Sequence, residues 1–177
     1  TDGSGVKVSF RVYVYPGKVT MKQDIPSTTA NKVVFKWDKL EGTTGYSVYK
    51  YNSSTKAYDF LKNTTANTFT DTSLKAGRNY AYIVKAVAKV NGVTVTGPSV
   101  KLTCTTDPAA VTGIKQTYST SDSITLSWNK VPNATYYVVY KYNKVKQDYD
   151  RVSETVSTSF VCGMVPAYAT KFLVYAV

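Results

Sequence analysis

Trp37-Asp-Lys-Leu-Glu-Gly-Thr-Thr-Gly-Tyr-Ser-Val-Tyr-Lys-Tyr-Asn52 recurs later in the chain as Trp128-Asn-Lys-Val-Pro-Asn-Ala-Thr-Tyr-Tyr-Val-Val-Tyr-Lys-Tyr-Asn143. The two stretches align without a gap, 91 residues apart from Trp37 to Trp128. The correspondence continues through Tyr58 and Tyr149, Asp59 and Asp150, and Phe69 and Phe160. After a one-residue deletion, Tyr82-Ile-Val-Lys-Ala-Val87 answers Phe172-Leu-Val-Tyr-Ala-Val177; upstream, Pro16-Gly-Lys-Val-Thr answers Pro108-Ala-Ala-Val-Thr. A unit of about 90 residues is too long for a solenoid repeat and large enough to bury its own core. The 177 residues therefore read as two copies of one domain.

Each copy has the punctuation of an all-β domain. Val33 to Trp37 and its twin Ile124 to Trp128 are short β-prone runs. A polar corner leads to Tyr46–Tyr51 and, in the second copy, Tyr137–Tyr142. Ala57 to Leu61 and Ala66 to Thr70 follow as further strands. Asn79 to Lys89 then alternates, with Tyr82, Val84 and Ala86 on one face. Asn91-Gly92 is a two-residue hairpin signal, and Val93 to Cys104 is expected to return as one last strand. Short strands with turn signals at this spacing predict an antiparallel sandwich. No window shows a sustained helical period with caps.

A Trp on the second strand, a Tyr-x-Val strand, Leu74-Lys-Ala-Gly-Arg-Asn-Tyr80 and the alternating Tyr82-x-Val84-x-Ala86 together resemble a fibronectin type III domain. The resemblance covers about residues 17 to 177 and is similar in style to modules of large secreted proteins of Gram-positive bacteria. It implies two tandem immunoglobulin-like sandwiches, residues 17–106 and 107–177. It implies Trp37 and Trp128 as core plugs between sheets. Tyr80 falls at the tyrosine-corner position, where the hydroxyl ties back to the backbone. In the second copy that position is Thr170, so the tie is lost or rebuilt, with Tyr168 as the substitute. An extracellular location, secreted or cell-wall attached, follows from the same resemblance.

The ends of the sequence fall out of step with the repeat. The second copy reaches Val177 at the end of its sixth strand, leaving the equivalent of Val93 to Cys104 unmatched. Ahead of the first copy, residues 1–16 hold an extra strand in which Val6, Val8, Phe10, Val12 and Val14 share one face. It stands where the last strand of a preceding domain would stand, as Val100 to Thr106 precedes the second copy. Three readings are open: the tail of a longer array, a donor strand for another chain's second sandwich, or a strand packed on the first domain.

The chemistry of catalysis is thin. The chain has no histidine, which removes the commonest general base and metal ligand. Glu41 and Glu154 are its only glutamates, and no glycine-rich phosphate loop is present. Asp148 and Asp150 share a strand face, but Ala57 stands where a repeat of Asp148 would be, so they read as surface charge. Cys104 and Cys162 are expected at opposite poles of the second sandwich, too far apart for a disulfide. No enzyme, no cofactor and no metal are expected.

Net charge is +11, with 22 basic and 11 acidic residues. The positives are scattered and mostly lysine, so sequence-reading of nucleic acid is not expected, while an anionic cell-wall polymer or glycan is a partner class that fits. No stretch reaches the about 20 apolar residues of a membrane helix. The 16 tyrosines deserve weighing. Tyr46 should face the core, and Tyr49, Tyr51, Tyr140, Tyr142 and Tyr175 the outside, where aromatic rows contact proteins or sugar rings. The functional expectation is a non-catalytic spacer or adhesion segment contacting other protein domains. Its alternatives are a filament subunit joined by strand exchange through residues 6–15 and a carbohydrate-binding module using the tyrosines.

Overall fold

A computed structural model of the chain describes residue 10, residues 14–165 and residues 169–177. Val6, Val8, Val12 and Tyr168 lie outside the described residues. The described chain is all-β apart from one 3-10 turn at Ile25–Ser27. In the first copy the strands are β1 (Met21–Gln23), β2 (Val33–Trp37), β3 (Gly45–Asn52), β4 (Ala57–Thr64), β5 (Thr68–Asp71), β6 (Asn79–Val90), β7 (Val93–Thr96) and β8 (Val100–Thr105). In the second they are β9 (Lys115–Ser119), β10 (Ser123–Ser127), β11 (Tyr137–Asn143), β12 (Asp148–Thr155), β13 (Ser159–Gly163) and β14 (Phe172–Ala176).

The first copy forms the sheets β1-β2-β5 and β4-β3-β6-β7, with β8 also on β6. The second repeats this plan as β13-β10-β9 and β12-β11-β14. The expected last strand, Val93 to Cys104, is divided into β7 and β8 at Gly97-Pro98-Ser99. Pro98 has no amide to give a ladder. Gly97 passes so close to the chain that a Cβ there would meet the Pro16 carbonyl oxygen at 2.6 Å. The turn before β7 has Asn91 at φ 52 and Gly92 at φ 80, the paired positive values that a right-twisted two-residue hairpin demands.

The core of the second copy lies between its two sheets. Leu126 and Trp128 come from the β10 side, Tyr137, Val139 and Val174 from β11 and β14, and all are buried. The alternation of a strand makes this possible, because Tyr137 and Val139 stand two residues apart on one face. Trp128 meets Tyr137 edge-on at 5.5 Å, and Trp37 meets Tyr46 in the same way at 5.3 Å. Edge-to-face pairs of this kind are worth about 0.5–1.5 kcal/mol beyond their buried area. In each copy the tyrosine hydroxyl accepts a backbone N–H six residues back. Tyr46 takes Leu40 and Tyr137 takes Val131, both at 2.9 Å. The corner that carries Trp into the next strand is thus locked by one hydroxyl per copy.

The hairpin that follows is also matched between the copies. β3 and β4 slip register between Val48 and Tyr49, and β11 and β12 between Val139 and Tyr140, the equivalent position. At the end of the hairpin, the Asn52 amide donates to Asp59 and the Asn143 amide to Asp150, both at 2.7 Å. Their carbonyl oxygens turn the other way and accept loop amides, Ser54 at 2.9 Å and Val145 at 3.0 Å. Each loop then contains one residue forced to positive φ, Lys56 or Gln147, both at 55°.

The corner tie differs between copies. The Tyr80 hydroxyl accepts the Lys75 N–H at 2.8 Å. Thr170 instead donates its hydroxyl to the Tyr142 carbonyl at 3.4 Å. By compactness the chain divides otherwise than by repeat. One unit takes in Lys36–Phe69 and Ala81–Thr103, the other Gln23–Phe35, Thr70–Tyr80 and Cys104–Val177. Hydrogen bonds tie segments of the second unit together. Gln23 exchanges two with the Thr105 backbone, at 2.8 and 3.0 Å, and the Thr106 N–H reaches the Arg78 carbonyl at 3.0 Å.

Candidate interaction faces

The face of β3 opposite Tyr46 and Val48 carries Ser47, Tyr49 and Tyr51. Pairing with β4 sets Tyr49 against Phe60 and Tyr51 against Tyr58. The rings meet edge-on, at 5.6 Å and 5.3 Å respectively. On the other side Lys85 of β6 places its ammonium 5.4 Å from the centre of the Tyr49 ring. Phe60 is 55% exposed and Tyr51 41% exposed, so this aromatic row is bounded by protein on one side and water on the other.

The second copy builds the same row with two exchanges. Tyr142 stands on Tyr149 at 5.2 Å, as Tyr51 stands on Tyr58. Arg151 replaces Phe60 opposite Tyr140. Tyr175 replaces Lys85 and meets Tyr140 at 5.7 Å, nearly perpendicular at 85°. Lys171 lies 5.9 Å from the Tyr142 ring. Tyr140, Tyr149, Tyr175, Leu173 and Asp148 line an open groove of about 460 Å³. Its lining is three tyrosines, one leucine and one aspartate. Such a surface can offer stacking and one acceptor, and nothing in it activates a nucleophile.

The carboxylates are engaged locally. Asp150 accepts from Asn143 and from Lys146, the latter at 2.8 Å. The Asn143 bond, then the Lys146 bond, holds the Asp150 carboxyl below the ordinary carboxylate range, and Asp150 in turn raises Lys146. Asp148 accepts the Tyr149 N–H at 2.7 Å, and Glu154 pairs with Arg151. Among the described residues no group of three acidic, cysteine or histidine side chains is placed to hold a metal. Cys104 and Cys162 are both free and buried, and burial pushes the Cys104 thiol up to about 11. No described helix is long and apolar enough to cross a membrane.

The sequence-predicted residues fall into three groups. Tyr49, Tyr51, Tyr140, Tyr142 and Tyr175 lie on the outer rows, in two clusters, one per copy. Trp37 and Trp128 are 3% and 5% exposed, and Tyr80 sits at its corner. Of the segment expected as a leading strand, Phe10 and Val14 are among the described residues, outside any strand and 81% and 82% exposed. Sequence reasoning passed over Tyr58, Phe60, Lys85, Tyr149, Leu173 and Lys171. Their signal was available, since the hairpin closed by Asn52 and Ala57 fixes which residue of β4 stands against each tyrosine of β3.

Comparison with known proteins gives the following. Residues 24–105 match the family described as "Fibronectin type III domain SaeA third domain". The chain is 30% identical over 164 residues to Exoglucanase B of Cellulomonas fimi, covering 85% of this chain and 14% of that protein. It is 34% identical over 110 residues to Chitinase A1 of Niallia circulans, covering 56% of this chain and 15% of that protein. It spans about one seventh of the length of either relative. Among solved structures, a segment of two fibronectin type III domains from chicken tenascin is 14% identical, with a TM-score of 0.42, over 92% of this chain and 99% of that one.

Proposed function

We propose that this chain, whose residues 24–105 match a fibronectin type III domain and whose second half repeats the first, is a non-catalytic spacer and interaction segment of an extracellular bacterial protein. Its two domains are residues 17–106 and 107–177. The observation that carries the reading is the doubled outer face: two sandwiches present the same aromatic row, and neither row contains a paired acid and base. The absence of histidine from the sequence supports it. So does the small share of each relative that the chain spans, which leaves most of those proteins to hold their named activities. The partners in this reading are other protein domains of the same or a neighbouring chain.

The groove on Tyr140, Tyr149 and Tyr175 favours a second reading, in which the outer face of the second copy rests on a polysaccharide. Sugar rings present apolar C–H faces that stack on aromatic rings, and the relatives are named an exoglucanase and a chitinase. One experiment addresses both. The purified chain is incubated with insoluble cellulose and with chitin, and the bound protein and released sugar are measured. No sugar release is expected; release would overturn the non-catalytic reading. Retention that falls at least several-fold in Tyr140→Ala/Tyr175→Ala supports the polysaccharide contact, and retention equal in both proteins, or absent in both, overturns it.

A further inference from the structure

The outer face of the first copy's larger sheet divides in two. Its aromatic half, Tyr49 with Phe60 and Tyr51 with Tyr58, lies toward the turn between β3 and β4. The other half is polar, and strand register lays it out. Ser47 stands between Asn63 of β4 and Lys85 of β6. One rung on, Gly45 stands opposite Val87, and Val87 opposite Thr96 of β7. Lys89 and Thr94 face each other on the rung after that. Paired residues of an antiparallel ladder share a face, and so do residues two apart, so these side chains form one surface.

A cleft of about 600 Å³ opens in the polar half, and Gly45 puts no side chain into it. β4 ends so close to Gly45 that a Cβ there would meet the Thr64 carbonyl oxygen at 2.9 Å. Asn63 and Thr65 wall the cleft on the β4 side, Thr94 and Thr96 on the β7 side. Ser47, in its lining, is only 7% exposed, and its hydroxyl donates to Asn63 Oδ1 at 2.7 Å. That bond uses the oxygen of the Asn63 amide and leaves its two N–H donors over. Among the described residues those N–H groups meet no acceptor. The lining holds one charged group, the Lys62 ammonium, and no carboxylate. Lys85 stands beside it on the Ser47 rung, and among the described residues neither lysine pairs with an acid.

The second copy does not repeat this chemistry. Tyr136 stands in the place of Gly45, Val138 in that of Ser47 and Glu154 in that of Asn63. Val138 and Glu154 are paired across the strands as Ser47 and Asn63 are, so the positions are equivalent in space as well as in sequence. Ser153 replaces Lys62, and Tyr175 replaces Lys85. Where the first copy has bare backbone the second has a ring, where it has a fixed amide the second has a carboxylate, and both ammonium groups are gone. The two outer faces thus differ in shape and charge at the very positions where the cores of the copies agree.

We propose that this cleft binds an anionic polysaccharide, at a unit whose carboxylate or phosphate rests against Lys62 and the Asn63 amide while its hydroxyls meet Thr94 and Thr96. An anion matches a lining that offers an ammonium and free N–H donors with no competing carboxylate, and bonds to the ammonium are charge-assisted. A hydroxyl-rich chain matches threonines, which both donate and accept. Tyr49 and Phe60 stand on the next rung, where the C–H faces of the following sugar have rings to rest on. The volume lies within the range of about 300–1,000 Å³ found for small-ligand sites. The cleft belongs to the first copy and takes a charged ligand, whereas the groove of Tyr140 and Tyr175 belongs to the second. Either contact can fail without the other.

The test measures binding of the 177-residue chain to immobilised polygalacturonate, poly(glycerol phosphate) and neutral dextran. Salt is held at about 0.15 M, where scattered charge is screened beyond about 8 Å. Retention on an anionic polymer and not on dextran is expected, and the polymer that retains the chain tells carboxylate from phosphate. Lys62→Gln/Lys85→Gln should weaken that binding at least about fivefold, and Asn63→Ala/Thr94→Ala, which leaves the charge unchanged, at least about threefold. Lys115→Gln/Lys130→Gln removes the same charge from exposed positions of the second copy and should change it less than about twofold. Lys62, Asn63 and Thr94 are exposed, so their replacement leaves the core intact. No retention on either anionic polymer, equal retention on dextran, equal weakening by the two lysine pairs, or unchanged binding in Asn63→Ala/Thr94→Ala overturns the proposal.

Discussion

Tyr137→Phe isolates one hydrogen bond in a setting that decides its worth. The Tyr137 hydroxyl accepts the Val131 N–H at 2.9 Å, and both residues are 3% exposed. Phenylalanine keeps the ring, and with it the edge-on contact to Trp128, so no cavity opens. The amide of Val131 is left buried with its partner gone. An ordinary hydrogen bond contributes about 0.5–1.5 kcal/mol net, but a buried group left unpaired costs about 1–3 kcal/mol. The expected loss is therefore in the upper range. The twin substitution Tyr46→Phe frees the Leu40 N–H, which is only partly buried, and the loss there should fall in the lower range because water can take the hydroxyl's place. Urea unfolding measures both, with an unchanged slope showing that the unfolded surface is the same. Amide exchange at Val131 gives the local readout. A loss below about 0.5 kcal/mol for Tyr137→Phe, or a larger loss for Tyr46→Phe, would refute the reasoning from burial.

Three further outcomes follow from the same coordinates. Trp128→Ala empties the centre of the second core and should destabilise that copy by about 3–5 kcal/mol, read as loss of its urea transition ahead of the first copy's. Cys104 and Cys162 should resist a thiol reagent at neutral pH in the native chain and react fully once it is unfolded, since both are buried and Cys104 titrates near 11. The Asp150 carboxyl titrates low because the Asn143 amide and the Lys146 ammonium favour its charged form. A depressed carboxylate stabilises the fold above the unfolded pKa, and that contribution is lost as pH falls through the folded value. Carboxyl titration by NMR should show the Asp150 midpoint below the ordinary aspartate range, and Asn143→Ala should move it upward.

What the sequence made legible was whatever repeats or alternates. The gapless match around Trp37 and Trp128 gave the two sandwiches, and period-two patterning gave the inward set of Tyr46, Val48, Tyr82, Val84 and Ala86. The Asn91-Gly92 turn was readable because positive φ at both residues restricts the residue types. What was not legible depends on partners in space. The division of β7 from β8 had a local signal in Gly97-Pro98 that was passed over, while the close approach of Gly97 to Pro16 is written in no local pattern. The hydroxyl ties of Tyr46 and Tyr137 to residues six positions back require the corner to be folded before the acceptor meets its donor. The aromatic rows were half visible. The tyrosines of β3 and β11 stood out, but Phe60, Lys85 and Leu173 join them only through cross-strand register.

The central claim is that the second copy repeats the sheet plan of the first, and that among the described residues no strand pairs with the far edge of β14. Amide hydrogen exchange in the dilute, monomeric chain compares the twin positions directly. Val84 and Ala86 lie in the stretch of β6 whose far edge the chain covers from Gly97 through β8, while among the described residues no strand pairs with β14 beyond Val174 and Ala176. The account predicts strong protection at the first pair and fast exchange at the second, with the amides of Val138 and Tyr140, held within the sheet, protected. Equal protection at both pairs would contradict it, because some other segment would then have to cover β14.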